Sequence, residues 1–120
     1  MSDGAVSEVQ KLVLRPVVRL AGQDRYATAA SVATHAVRCY WLDTAQVLVA
    51  TGARFPDALG GGAAAGKRGC VMVLTRSTVL PVATRDYLAR NKASIVAVRI
   101  LGGVDAVSQD VKSAIESVLK

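Results

Sequence analysis

Apolar and polar positions follow two different rhythms along the chain, and the rhythms take turns. Short runs rich in branched apolar residues, VVRL (17–20), QVLVAT (46–51), VMVLT (71–75) and IVAVRIL (95–101), are each followed by a longer stretch in which apolar positions recur at three and four residues. The first kind reads as strands buried on both faces, the second as amphipathic helices. Helices are predicted over 24–38, 56–67, 81–89 and 108–119. In the first, Tyr26, Ala29, Ala30, Ala33, Ala36 and Val37 make the apolar stripe; in the last, Val111, Ile115, Val118 and Leu119 do so behind Ser108 as N-cap. Pro56 suits a first helical turn, which needs no amide donor.

Strands alternating with helices of this length predict βα crossovers, and so a three-layer α/β/α sandwich around a mainly parallel sheet of about four strands. Residues 1–16 read as a polar N-terminal lead and 17–120 as the domain. A chain of 120 residues holds one sizeable core but not two. Because aromatics are only 4% of a chain that is 52% hydrophobic, that core must be built from Val, Leu, Ile and Ala.

Charge narrows the partners. Fifteen basic against nine acidic residues give a net charge of +6, which favours polyanions. The excess is scattered as single arginines without a clustered arm, so no nucleic-acid partner is expected. The opening MSDGAVSEVQ has neither a basic start nor an apolar stretch, so it reads as no signal peptide and no membrane segment. Cys39 and Cys70 match no dense disulfide framework and read as two small buried hydrophobes, and with His35 the single histidine no metal site is expected.

Ligands of an open parallel sheet bind outside the carboxyl ends of its strands. That singles out the loops AGQDR (21–25), TGARFPDA (51–58), TRSTVLP (75–81) and LGGVDAVS (101–108), which carry Arg25, Arg54 and Arg76. Asp24 stands at the start of the first helix, where a carboxylate caps free amides. Arg25 and Asp57 are expected at one sheet edge, either bracing the loops or contacting a ligand. The glycines Gly60, Gly61 and Gly62 fall inside a helix pattern and match neither GxGxxG nor GxxxxGK[ST], so GGGAAAG reads as a close-contact face, helix to sheet or subunit to subunit. No nucleophile elbow is present, and arginines beside Asp24 and Asp57 would hold both ionised. Catalysis is therefore not expected, and neither is a cofactor.

RLAGQDRYATAASVA (19–33), VLVATGARFPDALGGGAAAGKRG (47–69), the LT at 74–75 and RILGGVDAVSQDV (99–111) together resemble the successive blocks of the type 2 cell-wall-binding repeat of Gram-positive surface proteins. The resemblance covers 17–119 and implies a βα-layered, non-catalytic domain that anchors proteins to the wall by binding an anionic glycopolymer. By similarity Arg19, Asp24, Arg25, Tyr26, Thr28, Thr51, Asp57, Gly102 and Gly103 fall on motif positions. In the family three tandem copies make a pseudo-threefold trimer, whereas this chain holds one. It therefore reads either as an excised repeat or as a subunit of a homotrimer located at the wall or cell surface, a cytoplasmic site staying open. One departure is in the third strand, where the family's Gly-x-Pro-Ile-Leu-Leu is Gly69-Cys70-Val71-Met72-Val73-Leu74 here. The competing reading is a small α/β enzyme or regulator of a nucleotide or sugar phosphate at the same loops; a third is an assembly module that only trimerises cargo.

Overall fold

The apolar run QVLVAT forms the middle of the sheet. In a computed structural model describing residues 2–13, 17–39, 43–53 and 55–120, without the side chains of residues 39 and 55–59, the central strand β1 is Asp43–Thr51. It pairs in parallel with β2 (Cys70–Thr75), register Val47↔Val71 to Thr51↔Thr75, and with β3 (Ala97–Ile100), register Gln46↔Ala97 to Val49↔Ile100. Among the described residues the sheet has three strands in the order β2-β1-β3.

The helices are α1 (Asp3–Leu12), α2 (Arg25–Cys39), α3 (Phe55–Arg68), α4 (Val82–Asn91) and α5 (Gln109–Leu119). Alternation along the strands sorts their side chains. Val47, Val49, Val71 and Val73 face a core filled by Ala30 and Ala33 of α2, Tyr87 and Leu88 of α4, and Val111 and Ile115 of α5. Leu48 and Cys70 face the other way, against Ala65 of α3, with Met72 and Leu101 packed alongside. The α/β/α layering expected from the pattern is therefore present, with α2, α4 and α5 on one face and α3 on the other. Burying each such aliphatic side chain contributes about 1.5–3 kcal/mol. Cys70 is a buried free thiol; the side chain of Cys39 lies outside the described residues.

Two elements differ from the pattern. VVRL does not make a fourth strand: among the described residues 17–20 joins no strand ladder. Its bonding groups go instead to α1, the Val17 amide donating to Gln10 Oε1 at 2.7 Å and Arg19 pairing with Asp3 at 3.1 Å, while Val18 is 62% exposed. Conversely, the polar lead contains a helix. Ser2 accepts from the Ala5 amide as N-cap and Asp3 complements the helix dipole, yet α1 buries no residue.

Local chemistry sets the other ends. Ser108 accepts from the Val111 amide and caps α5 as its sequence predicts. Gly69, at φ +69, closes α3 in the left-handed region that favours glycine. Within α3, a Cβ on Gly61 would press on Leu101 and lie 2.9 Å from Met72 Sδ, so this glycine lets helix and sheet approach. Gly60 has no heavy atom within 4 Å of its would-be Cβ, so Gly60→Ala is expected to raise stability by about 0.7 kcal/mol in urea unfolding, through helix propensity alone.

Candidate functional site

At the carboxyl end of the sheet the loops after β1 and β2 meet the start of α2. Asp24 accepts from the Ala27 amide at 2.8 Å, capping α2, and this places Arg25 on the first helical residue. Arg25 reaches across and donates through Nη1 to the Gly52 carbonyl at 2.6 Å. The Gly52 amide in turn donates to the Thr75 carbonyl at 2.9 Å, carrying the parallel ladder one step past β1. A Cβ on Gly52 would lie 2.9 Å from Tyr26 Cε1 and 3.1 Å from Arg25 Cδ, so only a bare backbone lies flat on these two side chains.

Tyr26 is 7% exposed, and the Arg76 guanidinium sits over its ring, 5.0 Å from the centroid. That contact orients the arginine and contributes about 0.5–1 kcal/mol at an exposed position. The loop after β3 is tied in by the Ser108 amide, which donates to the Ser77 carbonyl at 2.8 Å. One rim therefore presents two exposed guanidiniums, Arg25 and Arg76, on a frame of backbone hydrogen bonds and one buried aromatic ring. Each retains N–H donors in the planar fork that matches phosphate and carboxylate oxygens.

The remaining expected residues take varied places. Thr28 Oγ1 accepts from the Gly22 amide at 3.0 Å, and Thr51, fully buried, accepts from the Ala53 amide at 3.1 Å, so both hydroxyls hold local turns. Arg19 is engaged with Asp3 on α1. Gly102, at φ +99, turns the chain out of β3, and Gly103 beside it is exposed. Arg54 and the side chain of Asp57 lie outside the described residues, and with them the expected Arg25–Asp57 pairing. The sequence singled out the loops that hold Gly52 and Ser77 but not these two residues themselves, whose backbone groups knit the rim.

Among the described residues no group of three or more His, Cys, Asp or Glu is placed to hold a metal, and no helix is long and apolar enough to cross a membrane. A second concave feature lies away from the rim. It is an open cleft of about 940 Å³ between α2 and α4, bordered by Ser31, Thr34, Arg38, Asp86 and Arg90.

Residues 19–112 match the family described as cell wall binding domain 2. Among solved structures the chain is similar to Cwp6 from Clostridium difficile, at 25% identity and a TM-score of 0.77, over 87% of this chain and 16% of that one. It is also similar to Cwp8 from Clostridium difficile, at 22% identity and a TM-score of 0.73, over 97% of this chain and 18% of that one; this second likeness bears on the fold alone. The chain thus spans under a fifth of the length of either protein. No curated protein matches it.

Proposed function

Because the chain belongs to the cell wall binding domain 2 family, we propose that it is a non-catalytic module that holds an anionic wall glycopolymer at the carboxyl rim of its sheet, at the cell wall or surface. The observation that carries this reading is the placing of two exposed guanidiniums on one rim, Arg25 on the Gly52 carbonyl and Arg76 over the Tyr26 ring, inside the family-matched segment. A phosphate or carboxylate of the polymer would take charge-assisted hydrogen bonds from the two guanidiniums, each worth about 1.5–3 kcal/mol. With Tyr26 buried beneath Arg76, the contact is to charge and not to a stacked sugar face. The net charge of +6 adds a general attraction to polyanions.

One such site binds weakly, and a homotrimer would multiply it. A small apolar groove beside the edge strand β2, lined by Val32 and Ala36 of α2 and by Gly62 and Gly66 of α3, offers a surface on which backbones of two copies could approach closely. Sedimentation velocity reads the assembly directly. For the ligand, purified walls are compared before and after extraction of their secondary anionic polymer. Retention is expected on intact walls and is expected to disappear on extracted ones, and to fall as salt screens exposed charge. Equal retention on both preparations would remove polymer recognition from the proposal.

A further inference from the structure

The carboxyl rim carries apolar side chains as well as arginines. Val79 lies in the loop after β2, Val82 is the first residue of α4 and Val104 lies in the loop after β3; they are 58%, 67% and 71% exposed. Away from the rim and the N-terminal segment, only Val32 and Val96 are exposed large hydrophobics among the described residues. The two loops are held together by backbone bonds. The Thr75 hydroxyl lies 3.0 Å from the Arg76 carbonyl oxygen and 3.4 Å from that of Val79, so the loop after β2 folds back and sets residues 76 and 79 on one short turn. The Ser108 amide joins the other loop to it at the Ser77 carbonyl, and that loop reverses at Gly103, whose carbonyl accepts from the Ala106 and Val107 amides at 3.0 Å. Ala106 and Val107 are buried in the main core, which leaves Val104 at the exposed tip.

Local structure gives no reason for valine at these places. Turns draw on Gly, Pro, Asn, Asp and Ser, and a branched residue at a helix start loses rotamer freedom. The three valines form no cap and fill no core. Between Arg76 and Val79 stands Thr78, also exposed, so the turn offers a charge, a hydroxyl and a pair of methyls in succession. Beside Val104, no heavy atom lies within 4 Å of a Cβ placed on Gly103, so bare backbone is open to close approach.

We propose that the rim recognises an acidic polymer unit bearing an N-acetyl group, with the acid on Arg76 and the acetamido methyl against Val79 and Val104. The inference rests on the reading of this rim as the anion site and names the sugar chemistry it selects. Charge decides what covers the valines. A purely apolar occupant would take water from the Arg76 guanidinium without replacing its hydrogen bonds, and a plainly hydroxylated sugar would leave the valines against hydroxyls. An acetamido group beside an acid satisfies both: its methyl meets the valines, and its carbonyl accepts from the Thr78 hydroxyl.

The test is an amide NMR titration of the whole chain with N-acetylglucosamine 1-phosphate, against glucose 1-phosphate. Saturable shifts are expected at residues 76–82 and 102–105, with the acetylated phosphate binding about fourfold tighter, the equivalent of one buried methyl group. Val79→Thr combined with Val104→Thr replaces methyls by hydroxyls at exposed positions, so it should melt with wild type and bring the two affinities together. Arg76→Gln should weaken both ligands alike, by about tenfold, the worth of one charge-assisted bond. Equal affinity of the wild type for the two phosphates, or a preference that survives the double valine change, would overturn the N-acetyl inference and leave anion binding at the rim standing. Absence of saturation by either phosphate at about 10 mM would overturn both. Loss of the 76–82 and 102–105 signals with rising protein concentration alone would overturn the inference by showing that a second copy covers the valines.

Discussion

Gly22→Ala is expected to cost about 3 kcal/mol, at the upper end of overpacking penalties, and to lower the melting temperature by roughly 10 °C. The reason is the turn that enters α2. A Cβ on Gly22 would lie 2.6 Å from the carbonyl carbon of Ala27 and 2.8 Å from the amide nitrogen of Thr28. Both are backbone atoms of the first helical turn, so no side-chain rotation relieves the collision. The helix cannot easily move, since Ala30 and Ala33 are buried in the main core and Asp24 pins its start. The turn must therefore lift, breaking the Gly22 amide bond to Thr28 Oγ1. Thermal unfolding by circular dichroism reads the effect, with Gly103→Ala as a companion expected to change little, because no heavy atom lies within 4 Å of that would-be Cβ. A Gly22→Ala variant melting within about 2 °C of wild type, where roughly 10 °C is expected, would contradict this packing of the turn.

How far the pattern of the chain foretold this structure depends on what each residue had to choose between. Val47, Val49, Val71 and Val73 had one outcome open to them: branched apolar runs too short for helices, buried on both faces, and they form the two strands with the longest register. Ser108 and Asp24 were equally legible, because a cap acts on amides three residues away and needs no tertiary partner. VVRL had a rival that its own residues do not display. Its amide and its arginine are taken by Gln10 and Asp3, sixteen or fewer residues upstream, on a helix whose polarity made it read as a lead. The signal for α1 was there in Ser2, Val6, Val9 and Leu12, an apolar stripe on a helix that buries no residue.

The site divides in the same way. Arg76 lies in the loop after β2, so its place on the carboxyl rim follows from the parallel order alone, whereas Arg25 follows 17–20, which joins no strand of the sheet, and reaches the rim through its bond to the Gly52 carbonyl. Which hydroxyls face outward does not follow. Thr28 and Thr51 stand on motif positions, yet each accepts from a nearby backbone amide, a choice made by turn geometry. The cleft was illegible for a different reason. Ser31, Thr34 and Arg38 read as an ordinary solvated face of α2, and only the packing of α2 beside α4 turns them toward Asp86 and Arg90.

Reversing both rim arginines, Arg25→Glu with Arg76→Glu, is expected to reduce retention on intact walls at least tenfold while leaving the melting temperature within a few degrees. Each guanidinium is exposed, so its removal does not open the core. What changes is the sign of charge at the place where acidic groups would dock, and a single lost charge-assisted bond of about 1.5–3 kcal/mol already corresponds to a factor of ten or more. The two arginines should not be equivalent. Arg76 rests on Tyr26 and its loss removes the proposed ligand contact and a stacking partner, whereas Arg25 also clamps the Gly52 carbonyl, so its loss frees the loop after β1 as well. Arg25→Lys separates these roles. It keeps the charge but lacks the planar fork needed to hold the carbonyl and an acidic oxygen together, so retention should fall between wild type and Arg25→Glu. If subunits assemble, each loss is compounded across the sites a polymer spans. Unchanged wall retention in the double reversal, with folding intact, would move polymer binding off this rim and leave the Arg25–Gly52 and Arg76–Tyr26 contacts as bracing of the loops.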